Sequence, residues 1–353
     1  MKNIVSYLIL IFAITFISCK QNPGKTTSES IADGTTKNKI VTPETYIRAE
    51  TDREFNLVQK QTNGVNKLFC YRDLPPLDHQ NVIRMNKDVL YSMAVVDTKG
   101  GATVVFPEMP DGRYASVQLI DNDHYIPVVI YTSGTYKLPE DTRYVGVAIR
   151  IQIYDANDKE EIAMINKLQD QFIIKTNSAE PVSFDWDMES LKKLTAEYNK
   201  EFGKYDKYPS DWQGKRGEVN EKTRYLAAAG AWGLFPERDA TYINYNGGNL
   251  SGDGVYKATY RIPEYKSKGF WSLTVYGKDG YMKDENNYLN ASNAKLNPDG
   301  TLTVYFGSKE NTPKDAKNRL DITDGWNFLM RVYLPEESVL NGSYILPEVE
   351  RVK

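Results

Sequence analysis

The sequence predicts a mainly β protein with two β domains joined by a helical middle segment, the second domain being a jelly-roll-like sandwich. Three patterns lead to this fold class. Apolar residues alternate with other residues over 145–153, and apolar residues recur at helical spacing between about 157 and 232. Short strand-like segments separated by turns then follow from 240 to the end. Period-two alternation indicates a half-buried strand, a spacing of three to four indicates a helix, and regularly spaced short strands indicate a sandwich.

The first β domain is expected to cover residues 42–175. It begins with a mixed segment in which residues 53–68 can form a helix, and Pro75 and Pro76 then mark a turn. Residues 89–154 have the composition of strands. The alternation at 145–153 is the clearest signal, and it predicts a strand with one face in the core and one face in solvent.

The helical bridge is expected over residues 176–229, after a first helix that closes the preceding domain. Asn157 and Asp158 can cap that first helix, whose apolar residues are Ile162, Ile165, Leu168 and Phe172. A second helix is predicted over 188–202 with Asp187 as its N-cap. A third helix is predicted over about 220–232.

The second β domain is expected over residues 230–353. Strands are predicted around 256–260, 270–276, 301–306 and 327–334. The runs 246–248 and 297–300 contain Asn, Gly and Pro-Asp-Gly, and these residues favour tight turns.

The N-terminal residues predict a lipoprotein. Lys2 precedes an apolar run over 4–17, and Ser18 stands before Cys19. Such a run is short for a membrane span but suits a secretory signal. We therefore expect residues 1–18 to be a signal peptide, Cys19 to carry acyl chains such as palmitate, and residues 19–41 to form a polar tether. The predicted location is the cell envelope at the outer membrane, with the membrane as a partner through the lipid.

Composition excludes several classes of function. Without residues 1–18 the chain has 43 basic and 47 acidic residues, a net charge of −4, which argues against a nucleic-acid partner. Besides Cys19 the chain has only Cys70, so neither a disulfide nor a cysteine-based metal cluster is expected. With two histidines and no phosphate-binding glycine loop, we expect no metal and no cofactor.

Two sets of sequence pieces resemble known families. Residues 81–175 resemble domain of unknown function 1254 through Asn86-Lys87-Asp88-Val89-Leu90-Tyr91-Ser92, Asp97, Asp111-Gly112-Arg113-Tyr114 and Gln118-Leu119-Ile120-Asp121. Residues 230–350 resemble domain of unknown function 1214 through Phe270-Trp271-Ser272-Leu273-Thr274, Asn297-Pro298-Asp299-Gly300, Arg331-Val332-Tyr333-Leu334-Pro335 and Leu340-Asn341-Gly342. The resemblance implies two all-β domains, the second like a jelly roll, and it implies no reaction.

Candidate catalytic residues lie in the first domain. His124 near Asp121 can act as a general acid or base, and it can equally be part of a polar strand end. Arg113 can bind a carboxylate or phosphate, or can form a structural bridge with Asp97 or Asp121. A hydrolase or lyase would use Asp97 or Asp121 together with His124 and Arg113.

Candidate ligand-binding residues come from both domains. Polar side chains near the start of the first β region can line a pocket or fix a loop, and aromatic side chains of the second domain can stack on a sugar or belong to the core. Arg331 lies in an apolar strand and is expected to pair with a carboxylate between the domains. The expected binding set is Asn86, Asp88, Tyr91, Tyr114, Trp271 and Arg331.

These patterns favour a binding protein. The expected function is to hold a small polar or carbohydrate ligand between the two β domains. The alternatives are the hydrolase or lyase described above and a structural or interaction protein of the cell envelope.

Overall fold

The computed structural model describes residues 38–80, 83–205 and 208–352. Cys19 and the predicted signal peptide, together with most of the predicted tether, lie outside the described residues. Strands account for 29% and helices for 18% of the chain, so the protein is mainly β as predicted. None of the described helices combines the length and the apolar character needed to cross a bilayer.

The first β domain contains two antiparallel sheets and one helix. A five-stranded sheet has the order β1-β2-β7-β4-β5, and a three-stranded sheet has the order β6-β3-β8. Helix α2 (Lys159–Gln169) begins at Asp158, whose carboxylate accepts from the backbone N–H groups of Glu160 and Glu161 as the cap prediction requires. The strands are β1 (Phe69–Cys70), β2 (Val89–Asp97), β3 (Ala102–Phe106), β4 (Ala115–Asp121), β5 (Val129–Ile130), β6 (Gly134–Lys137), β7 (Tyr144–Gln152) and β8 (Ile173–Thr176).

The predicted strand at 145–153 is β7, but its expected exposure is wrong. Val147, Ile149 and Ile151 point into the core between the five-stranded sheet, the three-stranded sheet and α2. Ala148 and Arg150 lie on the opposite face, and both are buried as well. The reason is that helices and the second domain cover this face, and alternation within one strand cannot reveal such a covering layer.

Three helices pack together beside the five-stranded sheet and form what we call the helical unit. They are α1 (Tyr46–Gln61), α3 (Met188–Phe202) and α4 (Tyr225–Gly230), with residues 208–224 leading into α4. The predicted N-cap of α3 is confirmed, since Asp187 accepts from the Ser190 N–H. Helix α1 begins earlier than the expected residue 53, and α4 is shorter than the expected 220–232. Gly146 lets α1 approach the sheet, because a Cβ there would lie 2.8 Å from the Phe55 ring.

The second β domain is a sandwich of two four-stranded sheets, as the jelly-roll-like prediction requires. The inner sheet has the order β12-β11-β15-β9 and the outer sheet β14-β13-β10-β16. Large aromatic residues fill the space between them, including Trp271, Phe306, Trp326 and Phe328. The elements are β9 (Ala240–Asn246), β10 (Tyr256–Tyr260), β11 (Tyr265–Tyr276), β12 (Tyr288–Asn290), β13 (Leu302–Phe306), β14 (Arg319–Leu320), β15 (Asn327–Pro335), α5 (Glu337–Leu340) and β16 (Glu350–Arg351).

The inner sheet turns its second face toward the first domain. Ser272 Oγ of β11 donates to Asp88 Oδ2 at 2.5 Å, just before β2 begins. Lys87 Nζ lies 2.6 Å from a Glu285 carboxylate oxygen. The Asn290 side chain donates to the Ile153 carbonyl at 3.2 Å. These buried or half-buried contacts fix the two domains against each other.

Candidate functional site

A cavity of about 780 Å³ lies where the two β domains and the helical unit meet. Its size falls within the range of about 300 to 1,000 Å³ that is typical of small-molecule sites. The five-stranded sheet, the inner sheet, the helical unit and residues from 71–79 and 83–86 all contribute to its wall. The lining residues include Asp73, Arg84, Asn86, Tyr91, Met93, Ile120, Ala148, Arg150, Tyr205, Trp232, Gly233, Lys278, Leu329 and Arg331.

Strand alternation explains which side chains of the two sheets face the cavity. In β7 the β-branched residues fill the first-domain core, so Ala148 and Arg150 point the other way. In β15 Met330 and Val332 fill the sandwich core, so Leu329 and Arg331 point toward the first domain. The cavity is therefore bounded by the two sheet faces that alternation alone would assign to solvent.

Arg150 is a buried cation in the cavity wall. The residue is 7% exposed, and its guanidinium donates to Gln118 Oε1 at 2.7 Å and to the Gly233 carbonyl at 3.4 Å. The guanidinium carbon lies 3.9 Å from the centroid of the Phe235 ring and 5.3 Å from that of the Tyr91 ring. None of the ion pairs between described residues includes Arg150. Burying a charge without a counter-ion costs several kcal/mol of folding free energy. Proteins usually avoid this cost by pairing the charge with an opposite one or by hydrogen-bonding it.

A second cationic group lies on the opposite wall. Arg331 donates to the Arg84 carbonyl at 2.6 Å and to the Tyr276 hydroxyl at 2.8 Å, and Asp88 Oδ2 lies 4.0 Å from its Nη1. The expected pairing of Arg331 with a carboxylate of the other domain is thus confirmed. Burial raises the pKa of Asp88, against the opposing effects of Arg331 and Ser272. Asp88 itself lies behind Arg331 rather than in the cavity wall.

Three expected ligand-binding residues, Asn86, Tyr91 and Arg331, do line the cavity. The Asn86 amide donates to the hydroxyls of Tyr91 at 3.2 Å and Tyr333 at 3.3 Å. Its Oδ1 atom and the Arg84 Nη1 atom are buried without a hydrogen-bond partner among the described residues. Unpaired buried polar atoms are rare, and these two belong to residues that line the cavity.

Two other expected ligand-binding residues are core residues instead. Trp271 is 2% exposed and lies between the two sheets of the sandwich, so it cannot act as an exposed stacking platform. Tyr114 is 1% exposed and its ring packs edge-on against Phe270 at 5.3 Å, outside the cavity wall. Both corrections have the same cause, because aromatic residues bury more apolar area than any others and usually enter the core.

Asp97 forms a structural anchor in the first domain. Its carboxylate accepts from Arg143 at 3.2 Å, from Ser178 Oγ at 2.6 Å and from the backbone N–H of Glu180 at 2.9 Å. Burial acts to raise the pKa of Asp97, but these donors outweigh it and lower the pKa to about 2. The residue is fully occupied and does not line the cavity.

His124 lies directly behind the cavity wall. Its Nε2 accepts from the backbone N–H of Gly233 at 3.1 Å, and its ring stacks on Trp232 with centroids 5.5 Å apart. Burial, together with Arg224, lowers its pKa to about 3, so the imidazole is neutral. The Asp121 carboxylate instead accepts from the backbone N–H groups of Asp123 and Tyr125 and holds the same loop.

Arg113 does form a structural bridge, but with another partner than expected. Its Nη1 donates to the Gln152 carbonyl at 2.6 Å and to Glu161 of α2 at 3.0 Å. No side-chain hydrogen bond joins any two members of the expected catalytic set, Asp97, Asp121, His124 and Arg113. Over the described ranges, no group of three or more His, Cys, Asp and Glu residues could hold a metal ion.

The sequence-based interpretation missed Arg150, Arg84 and the aromatic residues of the helical unit. One signal was available for Arg150, since it is the only charged residue within the alternating run at 145–153. A charged residue on the non-core face of a strand normally indicates that this face is exposed to solvent. Here distant parts of the chain cover the face, so the charged residue is buried.

Comparisons with known proteins agree with the two-part architecture. A family model for a protein of unknown function, DUF1254, matches residues 65–125, and one for another, DUF1214, matches residues 240–337. The chain carries DUF1254 and DUF1214 in that order. The DUF1254 match covers β1 to β4 of the first domain, and the DUF1214 match covers β9 to β15 of the sandwich. A search of curated proteins found no match.

Two solved structures share the fold. The VPA0106 protein from Vibrio parahaemolyticus is 19% identical and superposes with a TM-score of 0.68, over 87% of this chain and 97% of that one. A putative uncharacterized protein from Burkholderia cenocepacia is 14% identical with a TM-score of 0.50, over 87% of each chain. These likenesses show that the fold is shared over 87% of this chain.

Proposed function

We propose that this DUF1254–DUF1214 protein binds a small organic molecule in the cavity between its two β domains. The observation that carries the proposal is a cavity of about 780 Å³ whose wall is built from three separate parts of the chain. Ligand sites in proteins often lie between domains, where a few polar groups orient a ligand against an apolar wall. Arg150, Arg84 and Asn86 supply such polar groups here.

The same wall contains aromatic rings that flank the helical unit. Tyr205, after α3, and Trp232, after α4, line the cavity. Rings of this kind can stack on a sugar or on another flat or apolar ligand. The proposed ligands therefore include a small polar molecule or a carbohydrate.

The contacts favour binding over a hydrolase or lyase. General acid–base catalysis needs a titratable group within hydrogen-bond reach of the substrate. Asp97 and Arg113 are held by partners away from the cavity, and the His124 ring lies behind Trp232 and Gly233. We therefore place binding first among the candidate functions.

Filling the cavity should abolish binding. Ala148 of β7 faces the cavity beside Met93, and Ala148→Phe would place a ring in the empty space. We expect a thermal-shift screen with glycans and with apolar and acidic organic compounds to raise the Tm of the wild-type protein for at least one class. The Ala148→Phe variant should lose that rise, because bound ligand stabilises only the state with an open site.

The matched control is Ala163→Phe, on the exposed side of α2 and away from the cavity. It should keep the wild-type Tm rise. No Tm rise with any compound, or an equal rise in Ala148→Phe, would contradict ligand binding and favour a structural or interaction protein.

We further propose that the protein is a lipoprotein of the cell envelope, attached to the outer membrane through Cys19. The supporting pattern is the apolar run at 4–17 followed by Ser18-Cys19. Several acyl chains on Cys19 would hold the protein firmly on the membrane.

Replacing Cys19 should remove the anchor. In cells labelled with radioactive palmitate, we expect the full-length protein to take up label and to sediment with the outer membrane. Cys19→Ser should take up no label and leave the outer-membrane fraction, because its hydroxyl cannot form the thioether. Cys70→Ser is the control and should behave as wild type; labelling of the Cys19→Ser variant would refute the proposal.

A further inference from the structure

We propose that the ligand of the cavity is an organic carboxylic acid whose carboxylate pairs with Arg150 and whose apolar body lies against the surrounding wall. This inference rests on the proposed function, since it assigns a ligand class to the same cavity. It explains why a cation is buried there without an anion.

The cavity wall has an excess of positively charged side chains. Arg84, Arg150, Arg331 and Lys278 line the cavity, whereas the acidic lining among the described residues is Asp73, an exposed residue. The whole chain has a net charge of −3, so this excess of positive charge is local. Charges in a water-poor cleft act more strongly than on an open surface and attract a ligand of the opposite sign.

Arg150 makes fewer hydrogen bonds than its guanidinium can donate. A guanidinium has five N–H donors, and the contacts of Arg150 are one to the Gln118 amide oxygen and a longer one to the Gly233 carbonyl. Both acceptors are neutral. A carboxylate fits the planar fork of donors and would supply the missing counter-charge in the same step.

The rest of the cavity wall suits the apolar body of such a ligand. Met93 and Ile120 of the five-stranded sheet, Leu329 of the inner sheet and Trp232, just after α4, supply apolar surface to the same cavity. Among the lining residues, buried polar atoms without a partner belong to Arg84, Asn86, Tyr208 and Asn327. Most of the cavity surface is nevertheless apolar, so a ligand with one acidic group and an apolar body matches it better than a sugar with many hydroxyls.

The test compares acids with their neutral amides. Full-length protein in nanodiscs is titrated with phenylbutanoate, naphthylacetate and octanoate, and with the amide of each, by calorimetry. We expect at least one acid to bind wild type at least tenfold more tightly than its amide. Arg150→Met should lower the affinity for that acid by about thirtyfold or more, as expected when one partner of a buried charge pair is removed. The affinity for the amide should stay unchanged.

Two further variants keep the test decisive. Arg150→Lys retains a charge but loses the planar fork, so it should bind the acid more weakly than wild type and more tightly than Arg150→Met. Arg261→Met, at an exposed arginine away from the cavity, should bind as wild type. If Arg150→Met does not fold, Arg150→Lys is compared with wild type instead. Equal affinity of these two proteins for the acid would overturn the bidentate pairing.

The outcomes also separate this inference from the proposed function. If a glycan, an alkyl phosphate or the amides bind as well as or better than every acid, and Ala148→Phe blocks them, the carboxylate assignment fails while the cavity remains a binding site. Equal binding of an acid by wild type and Arg150→Met likewise overturns the assignment. If no compound binds wild type, both proposals fail.

Discussion

Arg331→Met is expected to lower the free energy of unfolding by about 3 to 5 kcal/mol, the usual cost of removing one partner of a buried ion pair. The arginine is 3% exposed, and it joins Asp88 of the first domain to Thr274 and Tyr276 of the inner sheet. Methionine would fill much of the space but would leave the Asp88 carboxylate buried with only Ser272 as a donor. Urea unfolding of the full-length protein measures the loss.

A double-mutant cycle identifies the cause of that loss. In the Asp88→Asn background, the cost of Arg331→Met should be at least about 1 kcal/mol smaller, because no stranded carboxylate remains. Lys283→Met is the control for losing a surface ion pair; Lys283 pairs with Asp279 while both side chains are nearly half exposed, and the change should cost about 1 kcal/mol or less. Equal costs of Arg331→Met in both backgrounds would show that the pair does not couple the domains.

Acid should destabilise the protein through His124. Burial lowers its folded-state pKa to about 3, against 6.5 for an ordinary histidine, so between these values the unfolded chain binds a proton that the folded protein excludes. Stability from this group is therefore complete above about pH 6.5 and is lost as the pH falls toward the folded-state pKa. We expect a loss of up to about 1.4 kcal/mol for each pH unit between about pH 6 and about pH 4.

The His124→Asn variant isolates this effect. His124 has a φ of 61°, a conformation that asparagine tolerates better than most residues, and asparagine does not titrate in this range. The variant should be less stable than wild type at neutral pH, because it loses the ring contact with Trp232. The difference in free energy of unfolding between wild type and the variant should shrink as the pH falls. A difference that stays constant with pH would mean that protonation of His124 contributes nothing to the acid sensitivity.

Asp97 shows how residue type alone misleads about chemistry. A carboxylate between two strands suggested a catalytic acid, yet four donors hold it ionised as an anchor between β2, β7 and the chain after β8. The four donors come from Lys99, Arg143, Ser178 and Glu180, which span about eighty residues of sequence. No local pattern reports such a convergence, because it depends on which loops meet after the sheet has formed.

Local chemistry in the sequence determined the elements and the kind of fold. The caps at Asp158 and Asp187, the alternation in β7 and the spaced strands of the sandwich all depend on neighbouring residues, so they can be predicted from the chain alone. The inter-domain pairing of Arg331 also followed from its place in an apolar strand, since such a cation needs a partner.

The tertiary structure alone decided where the cavity lies and which residues face it. Alternation tells which side chains share a face of a strand, but it does not tell what covers that face. The second face of β7 is covered by the helical unit and the inner sheet. The helical unit begins about one hundred residues before β7, and the inner sheet ends nearly two hundred residues after it. That distant covering turns Arg150 from an expected surface charge into a buried cation in the wall of the cavity.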